Sequence, residues 1–418
     1  MQIRSIVGLV LVGVVFGVPA SPAHALTFTC STIVTRGTPD PMGGAFKSKF
    51  EEPRINGSGD VIFVSKPQGP PKRLYLYPGA GSPSVVATAG DLAPGGSEFS
   101  KFTDTSINDA GDLAFRGDLV TGEGVFVKPS AGSLTAAVRT TDAVPGGGFF
   151  SVFPMVSDIA AAGDVAFLAI VESGANGAYL YSAGTMTVSK IAAVGDPTGD
   201  GRQFCDFSSV DLGDSGNAVL HATTQVDCND PMETPRDGVY VQNGASFVSV
   251  AQIGDATPIG GTTYASFLGI PEINASDLVG FRARTAGTVN VTGLFDFDQS
   301  GPTTTLLIAT GDSVPGSTGF LKTIAFSHLT DGGRQAFRGR LRSGSARFGI
   351  FIAGGTPDAV VLNTSPVPTD AFGAGSSYRT IEEDFGVDRS GTKVTFSAKV
   401  HDTVVPKSKI GLFRCSGS

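Results

Sequence analysis

Hydrophobic and polar residues alternate along most of the chain in short runs separated by turns rich in glycine, aspartate and asparagine. The run 107–115, INDAGDLAF, is representative: an apolar residue, an Asn-Asp-Ala-Gly turn, and then apolar residues at alternate positions. A period of two predicts β-strands, and such turn residues favour a tight hairpin. The basic unit of the chain is therefore predicted to be a β-hairpin.

Variants of this hairpin return at intervals of 52 to 61 residues. Several short strands in each period of roughly 50 residues are typical of a propeller. The second repeat divides into four strands, near 100–107, 112–118, 124–128 and 134–140. The sequence thus predicts an all-β fold, a seven-bladed β-propeller of four-stranded blades. The seven hairpin copies begin at Ile55, Ile107, Ile159, Leu212, Ile273, Leu329 and Val387.

The two ends of the chain are expected to complete one blade. The last repeat supplies three strands, near 378–387, 393–400 and 409–414, and no fourth. Residues 27–36 form a strand-like segment before the first full repeat. We therefore expect the N-terminal strand to complete the last blade, which removes exposed sheet edges. Residues 26–418 are predicted to form a single domain.

The hairpin motif also resembles a known type of repeat. The second copy matches the pattern Asn-x-x-Gly-x-x-Ala-Phe through Asn108, Gly111, Ala114 and Phe115. In this respect the chain resembles bacterial secreted proteins built from tandem repeats of that pattern. The resemblance implies a secreted repeat protein and no known reaction. Other copies depart from the pattern, with Ala160 and Thr330 in place of Asn and Asp277 in place of Gly.

Residues 1–25 are predicted to be a secretory signal peptide. Arg4 precedes an apolar run over 6–18, and Ala23-His24-Ala25 fits a cleavage site. The apolar run is shorter than the roughly 20 residues that a membrane span needs. The net charge of −8 argues against nucleic acid or an anionic membrane as a partner. We therefore expect a secreted protein, either extracellular or periplasmic, with no membrane span. We also expect it to be a monomer.

The chain contains four cysteines, which in a secreted protein favour disulfides and allow three pairings. Ring closure would make Cys30 and Cys415 neighbours, and Cys205 and Cys228 lie in one repeat. These two pairs are the predicted disulfides. A zinc site or a free nucleophile is disfavoured because the sequence has neither Cys-x-x-Cys spacing nor paired histidines.

Acidic residues concentrate in an insertion of the fourth repeat, and Asp296 and Asp298 suggest a second acidic loop in the fifth. Flexible loops rich in carboxylates suit calcium, although no EF-hand spacing is present. Solvated acidic loops are the alternative. The candidate calcium ligands are Asp200, Asp206, Asp227 and Asp230.

Four basic side chains directly follow the last apolar residue of the motif: Arg116, Arg282, Arg338 and His221. They either pack structurally between blades with their heads near loop carboxylates, or form a polar ring that binds an anionic ligand. A general base is the further possibility for a histidine. The other two histidines that follow the signal segment, His328 and His401, have the same two readings, structural residue or base.

The sequence carries no motif of a common catalytic or cofactor site and no tryptophan for stacking sugar rings. The leading hypothesis is a secreted, non-enzymatic protein that presents a loop-rich propeller face to an extracellular ligand or protein. It needs no cofactor other than, at most, calcium. The rival hypothesis is a lyase or hydrolase acting on an extracellular polysaccharide or other polymer, with His221 and Arg282 as its catalytic residues.

Overall fold

Antiparallel strands make up the regular structure of the computed structural model, which describes residues 26–69, 71–355, 357–403 and 408–418. The predicted signal peptide lies outside the described residues. Twenty-eight strands form seven four-stranded sheets, arranged as the blades of a ring. The prediction of a seven-bladed β-propeller is confirmed. None of the described residues belong to a helix long and apolar enough to cross a membrane.

Blades 1 to 3 are four-stranded meanders in which each strand pairs with the next one along the chain. Blade 1 contains β2 (Phe46–Ile55), β3 (Val61–Pro67), β4 (Arg73–Tyr77) and β5 (Ser84–Thr88). Blade 2 contains β6 (Phe99–Ile107), β7 (Leu113–Leu119), β8 (Glu123–Lys128) and β9 (Thr135–Arg139). Blade 3 contains β10 (Phe150–Val156), β11 (Val165–Val171), β12 (Asn176–Ser182) and β13 (Thr187–Ala193).

Blades 4 to 6 repeat the same order. Blade 4 contains β14 (Gln203–Leu212), β15 (Ala218–Gln225), β16 (Arg236–Asn243) and β17 (Ser246–Gln252). Blade 5 contains β18 (Thr262–Ile273), β19 (Leu278–Gly287), β20 (Thr292–Asp298) and β21 (Thr303–Ala309). Blade 6 contains β22 (Leu321–Leu329), β23 (Gln335–Leu341), β24 (Phe348–Ala353) and β25 (Asp358–Leu362).

Blade 7 joins the two ends of the chain, as expected. Its three C-terminal strands are completed on the outside by the N-terminal strand, which pairs antiparallel with the last strand. Cys30 lies opposite Cys415 in this pairing and is bonded to it, and a second disulfide joins Cys205 to Cys228. The strands of blade 7 are β26 (Ser377–Val387), β27 (Lys393–His401), β28 (Ser408–Gly417) and β1 (Phe28–Thr35).

The asparagine of the hairpin motif explains why the repeat is built as it is. Oδ1 of Asn108 accepts a hydrogen bond from the Asp112 backbone at 2.9 Å and closes its own turn. Nδ2 of Asn108 donates to the Ala160 carbonyl of the next blade at 3.0 Å. The motif glycine Gly111 has a φ of 82°, and Asp277, which replaces glycine in the fifth copy, also has a positive φ of 60°. One side chain therefore fixes the turn and joins two blades.

The motif phenylalanine fills the interior of the blade. Phe115 of β7 stacks on Phe126 of β8, with ring centroids 5.6 Å apart, and both rings are fully buried. Offset stacking of this kind adds to the free energy gained from burying the two rings. The same stacked pair between the second and third strands recurs in blades 1, 3, 5, 6 and 7 as Phe63–Tyr75, Phe167–Tyr179, Phe281–Phe295, Phe337–Phe351 and Phe396–Phe413.

Candidate functional site

The three arginines singled out from the sequence lie in three different interfaces between blades. Arg116 of β7 donates to a backbone carbonyl of β10 in the next blade at 2.7 Å. Arg282 and Arg338 make the corresponding bonds to carbonyls of β22 and β26, each at 3.2 Å. These contacts fit the structural reading, in which each arginine joins neighbouring blades. A role for these arginines in binding an anionic ligand stays a prediction.

His221 and Arg282, the pair expected in an enzyme, face different interfaces. Nε2 of His221 lies 2.8 Å from an oxygen of Asp237 in the same blade, and its ring contacts Phe267 of blade 5. The guanidinium of Arg282 instead bonds blade 6. The structure therefore does not bring these two side chains together at one concave site.

The four candidate calcium ligands each accept local hydrogen bonds. Asp227 and Asp230 accept from the backbone N–H two residues later, at 2.9 and 2.8 Å. Asp200 accepts from Gln252 at 2.9 Å, and Asp206 accepts from the next backbone N–H at 2.9 Å. Within the described ranges, no group of three or more His, Cys, Asp or Glu side chains is placed to hold a metal ion. Calcium binding by these residues stays a prediction.

Asp296 is not part of an acidic loop, so that expectation was wrong. It lies on β20, is 6% exposed, and accepts a hydrogen bond from Gln335 of blade 6 at 2.5 Å. Burial raises the pKa of Asp296 to about 7, although the bond to Gln335 works against the shift. Because Gln335 belongs to blade 6, Asp296 lies in the interface between blades 5 and 6 and not in a loop.

Ionisable side chains from five blades converge at the centre of the ring. Each occupies the residue directly before the first apolar residue of the hairpin motif, at the end of the first strand of its blade or, for Asp158, just beyond that strand. All five border two small cavities on the axis of the propeller. We call this group the axial cluster; it consists of Arg54, Asp158, Asp211, Glu272 and His328.

Arg54 joins blade 1 to blade 7 and faces blade 3. Its Nη1 donates to Asp384 at 2.9 Å and to the Phe385 carbonyl at 3.3 Å. Its Nε lies 4.0 Å from Asp158, and this buried nitrogen has no hydrogen-bond partner. Burial opposes the charge of Arg54, but the carboxylates of Asp384 and Asp158 outweigh it and raise the pKa. One N–H of Arg54 is therefore left for a further acceptor.

His328 connects three blades through both of its ring nitrogens. Nδ1 lies 2.9 Å from Oε1 of Glu272 in blade 5, and Nε2 lies 3.0 Å from the Phe385 carbonyl in blade 7. Burial disfavours the charged imidazolium, but the charge and hydrogen bond of Glu272 prevail and raise the pKa of His328. The second oxygen of Glu272 accepts the Leu329 backbone N–H. The histidine and the glutamate are thus fixed by contacts on every side.

Asp211 is a buried carboxyl group that no basic side chain neutralises among the described residues. It is 7% exposed and accepts the Ile273 backbone N–H of blade 5 at 3.1 Å. Burial, together with the negative charges of Glu272 and Asp158, raises the pKa of Asp211 well above its usual range. The surroundings of Asp211 therefore favour its protonated, neutral form.

Asp158 differs from the other carboxylates of the cluster because it faces open space. Its side chain is 53% exposed, and its nearest charged partner is Arg54 at 4.0 Å. It borders both axial cavities. Its carboxylate is the acidic group of the cluster most accessible to a ligand.

The two axial cavities are small. The cavity next to the hairpin turns, which we call the turn-side cavity, has a volume of about 70 Å³ and is also lined by Asp109, Asp331 and Arg389. The second cavity, on the other side of the axial cluster, has a volume of about 80 Å³. An engineered protein cavity of about 150 Å³ accommodates benzene. Each axial cavity therefore suits the head group of a ligand and not a whole sugar ring.

A larger groove of about 530 Å³ lies at the seam between blades 7 and 1, and we call it the seam groove. It is lined by Glu52, Arg338 and Asp384, among others, and reaches the axial cluster through the pair of Asp384 with Arg54. Burial raises the pKa of Glu52 to about 7; Arg54 lowers it, and nearby carboxylates raise it further. Glu52 can therefore hold or release a proton near neutral pH.

Sequence reasoning missed the axial cluster, although the repeat register contained the signal. The position before the first motif residue is polar or charged in six of the seven copies, and it lies on the innermost strand of every blade except blade 3, where it follows that strand. Aligning the copies and reading that one position would have placed all these residues on the axis. In order of blades, they are Arg54, Ser106, Asp158, Asp211, Glu272, His328 and Gly386.

Comparisons with known proteins identify a family and leave the function open. The model of a family of unknown function, DUF7453, matches residues 27–304, which is more than half of the chain. No curated protein matches the sequence significantly. The functional-site residues therefore have to be judged by their own geometry.

Similar solved structures include a β-propeller domain, a polysaccharide lyase and a hydrolase. The β-propeller domain of the Trilobed protease from Pyrococcus furiosus is 9% identical, with 86% of this chain and 97% of that chain covered and a TM-score of 0.49. The polysaccharide lyase Uly1 is 10% identical, with 94% and 99% covered and a TM-score of 0.48. A puromycin hydrolase is 12% identical, with a TM-score of 0.48; 87% of this chain aligns but only 53% of the hydrolase, about half of its length. Similarity this low says nothing about whether functions are shared.

Proposed function

We propose that this chain, which belongs to the DUF7453 family of unknown function, is an extracellular, non-enzymatic binding protein that holds a small ligand at the axial cluster. Concave sites with a few convergent polar groups are the usual places where proteins bind small molecules. Two disulfides suit an oxidising compartment, and residues 1–25 fit a signal peptide. Both features support a secreted protein.

The observation that carries the proposal is the gap between Arg54 and Asp158. These opposite charges come from blades 1 and 3 and lie 4.0 Å apart, too far for a hydrogen bond. The Nε of Arg54 is buried without an acceptor, and Asp158 is half exposed. A ligand with one donor and one acceptor can satisfy both groups at once. The rest of the cluster is already held by other blades, so little conformational entropy is lost on binding.

The geometry of His328 favours binding over catalysis at this site. A backbone carbonyl only accepts hydrogen bonds, so Nε2 must carry a proton toward Phe385. Nδ1 is engaged by Glu272 at 2.9 Å. The imidazole has no free lone pair for a substrate proton, which a general base requires. His328 therefore fixes the site in place and does not transfer protons.

The seam groove supports a second candidate function, a hydrolase or lyase acting on an extracellular polymer. Its volume of about 530 Å³ lies within the usual range for ligand sites. Glu52, with a pKa of about 7, has the acidity expected of a general acid or base at neutral pH. Arg338, one of the arginines noted in the sequence, borders the same groove and is able to hold an anionic group.

The proposal is tested with purified residues 26–418 and a panel of small cationic, anionic and neutral solutes. Binding is measured by calorimetry, and the Asp158→Asn variant is compared with Asp118→Asn. Asp118 is the matched control because it is a partly exposed carboxylate paired with Lys101 on blade 2. We expect Asp158→Asn to weaken binding at least about tenfold, a loss of about 1.4 kcal/mol, and Asp118→Asn to leave it unchanged. Equal affinity in all three proteins would place the ligand elsewhere.

The enzyme alternative is tested by incubating the same protein with an array of polysaccharides and other polymers and detecting products by mass spectrometry. Turnover that is lost in Glu52→Gln would establish catalysis in the seam groove and overturn the binding proposal. Absence of products in both proteins, together with binding that depends on Asp158, is the expected result.

A further inference from the structure

The hairpin of blade 7 sends one side chain across the end of the axial channel. Arg389 forms an ion pair with Asp214 of blade 4 and donates to the Ile159 carbonyl of blade 3 at 3.1 Å. Blades 3 and 4 are the two blades opposite blade 7 in a ring of seven. The backbone carbonyl of Arg389 accepts the Asp331 N–H of blade 6 at 2.7 Å, which anchors the hairpin. Arg389 thus spans the mouth of the turn-side cavity.

The other six hairpins show why this arginine is an exception. At the same motif position, a backbone N–H of one blade donates to an aspartate of the next: Gly57 to Asp109, Ala161 to Asp214, and Ala275 to Asp331, at 2.6, 2.6 and 3.3 Å. Blades 1 to 6 are thereby joined in three pairs. Seven is an odd number, so blade 7 has no partner for this bond. Its residue at that position, Arg389, is free to serve another purpose.

The turn-side cavity attracts positive charge. Its walls contain two arginines, Arg54 and Arg389, which already pair with Asp384 and Asp214. Of the five acidic residues in the walls, Glu272 pairs with His328, and burial raises the pKa of Asp211 and favours its neutral form. The carboxylates of Asp109, Asp158 and Asp331 remain and give the walls an excess of negative charge. Within the described residues, Asp109, Asp211 and Asp331 form no ion pair. Walls of one sign concentrate ions of the opposite sign within a cleft. The guanidinium of Arg389 borders this cavity and is held there by Asp214 and the Ile159 carbonyl, so a cation of this kind is already accommodated beside it.

We propose that the turn-side cavity binds the guanidinium or primary ammonium group of a ligand, and that Arg389 occupies this cation site when the ligand is absent. The inference rests on the proposed binding function for its location and adds the chemical class of the ligand. The cavity volume of about 70 Å³, together with the space that Arg389 leaves when the ligand displaces it, fits a small cationic head group. Asp214 and the Ile159 carbonyl, the present partners of Arg389, would accept its N–H donors.

Chemical rescue tests this assignment directly. In Arg389→Ala, the vacated space should bind methylguanidinium, which carries the same donors as the lost side chain. We expect the variant to melt a few degrees below the unmodified protein and millimolar methylguanidinium to restore the melting temperature. Tetramethylammonium, which has the charge but no N–H donor, should not restore it. Calorimetry should show roughly tenfold tighter binding of methylguanidinium to the variant, because Arg389 no longer competes.

Arg139→Ala is the matched control. Arg139 of blade 2 also bonds one carbonyl and pairs with one carboxylate, Gly95 at 2.7 Å and Asp142 at 3.8 Å, but it lies away from the axis. We expect no rescue of this variant by methylguanidinium. We also expect Asp214→Asn, added to Arg389→Ala, to abolish the rescue. If Arg389→Ala does not fold, Arg389→Gln, which keeps the side-chain stem but carries no cation, replaces it in the same comparison.

No rescue, or equal rescue of the Arg139 variant, would overturn the cation site. These outcomes differ from failure of the proposed function. If rescue fails while Asp158→Asn still weakens a ligand from the panel, the ligand class is wrong and the axial binding site stands. If rescue succeeds while Asp158→Asn has no effect on any ligand, the cation site is supported and the wider binding proposal is not.

Discussion

The disulfide between Cys30 and Cys415 should be the stronger of the two covalent links. It joins residues 385 apart in the sequence, whereas Cys205 and Cys228 are 23 apart. A disulfide lowers the entropy of the unfolded chain by an amount that grows with the enclosed loop. That relation gives about 6 kcal/mol for the long loop and about 3 kcal/mol for the short one.

These free energies translate into different melting temperatures. At an unfolding entropy of about 2.1 cal/mol/K per residue, a chain of this size loses roughly 1 °C for each 0.8 kcal/mol. We therefore expect Cys30→Ser with Cys415→Ser to melt about 7 °C lower, and Cys205→Ser with Cys228→Ser about 4 °C lower. Calorimetric scans of both variants and of the unmodified protein under identical conditions provide the measurement.

Limited trypsin digestion locates the two effects in the structure. Strand β1 is the outer strand of blade 7 and pairs only with β28, and the exposed Arg36 directly follows it. The Cys30/Cys415 variant should be cut after Arg36 early and release β1. The Cys205/Cys228 variant should be cut first at the exposed Arg236, beside the blade 4 insertion. Equal melting temperatures, or no faster cleavage after Arg36, would refute the closure argument.

Three further predictions concern the joints between blades. Asn108→Ala removes two hydrogen bonds of 2.9 and 3.0 Å and should lower the free energy of unfolding, measured by urea titration, by about 2 kcal/mol. A loss below about 0.5 kcal/mol would contradict the role of Asn108 in joining blades 2 and 3. Arg54→Met leaves Asp384 and the nearby Glu52 without their cation and should cost about 3 kcal/mol at pH 8 and less at pH 5, where folded Glu52, with a pKa of about 7, holds a proton; a loss independent of pH would show that charge is not the cause. The native protein should lose stability as the pH rises from 4.5 to 7. Glu52 has a pKa of about 7 in the folded protein and about 4.5 in the unfolded chain, so over this range the folded protein keeps a proton that the unfolded chain releases. The difference corresponds to about 3 kcal/mol of unfolding free energy. Asp211 and His328, whose pKa values are also raised, change the stability in the same direction. A free energy of unfolding that increases over this pH range in urea titrations would contradict the raised pKa of Glu52. Glu52→Gln should make the free energy of unfolding less dependent on pH.

The fold was predictable because the hairpin motif occurs seven times in the sequence. Alternation, turn residues and spacing recur along the chain, so the copies that depart from the motif, such as those with Ala160 or Thr330 in place of Asn, do little harm. Strand ends followed the same logic: strands predicted near 100–107 and 124–128 are observed at Phe99–Ile107 and Glu123–Lys128. The prediction that Asp296 lies in an acidic loop was wrong because a charged residue favours a loop in the sequence, and its buried partner, the amide of Gln335, is visible only in the structure.

The axial site was much harder to predict because its residues share a position and not a chemistry. Read along the chain, Arg54, Asp211 and His328 are isolated polar residues at the ends of strands. Ring closure brings them to a common axis, and only then do their charges interact. The residues chosen from the sequence, such as Arg116 and His221, were instead those placed one sheet face away, between blades.

Hydrogen bonds between neighbouring blades explain why most positions on the axis carry polar residues, and Asp158 is the exception. Ser106, Asp211 and Glu272 each accept the backbone N–H of the first motif residue in the next blade. A side-chain acceptor at this position is therefore part of the joint between blades. Asp158 makes no such bond, and blades 3 and 4 are joined one motif position further on, through Asp214. A carboxylate that the architecture does not use, half exposed beside an unsatisfied arginine, is the group through which binding can be altered without weakening the fold.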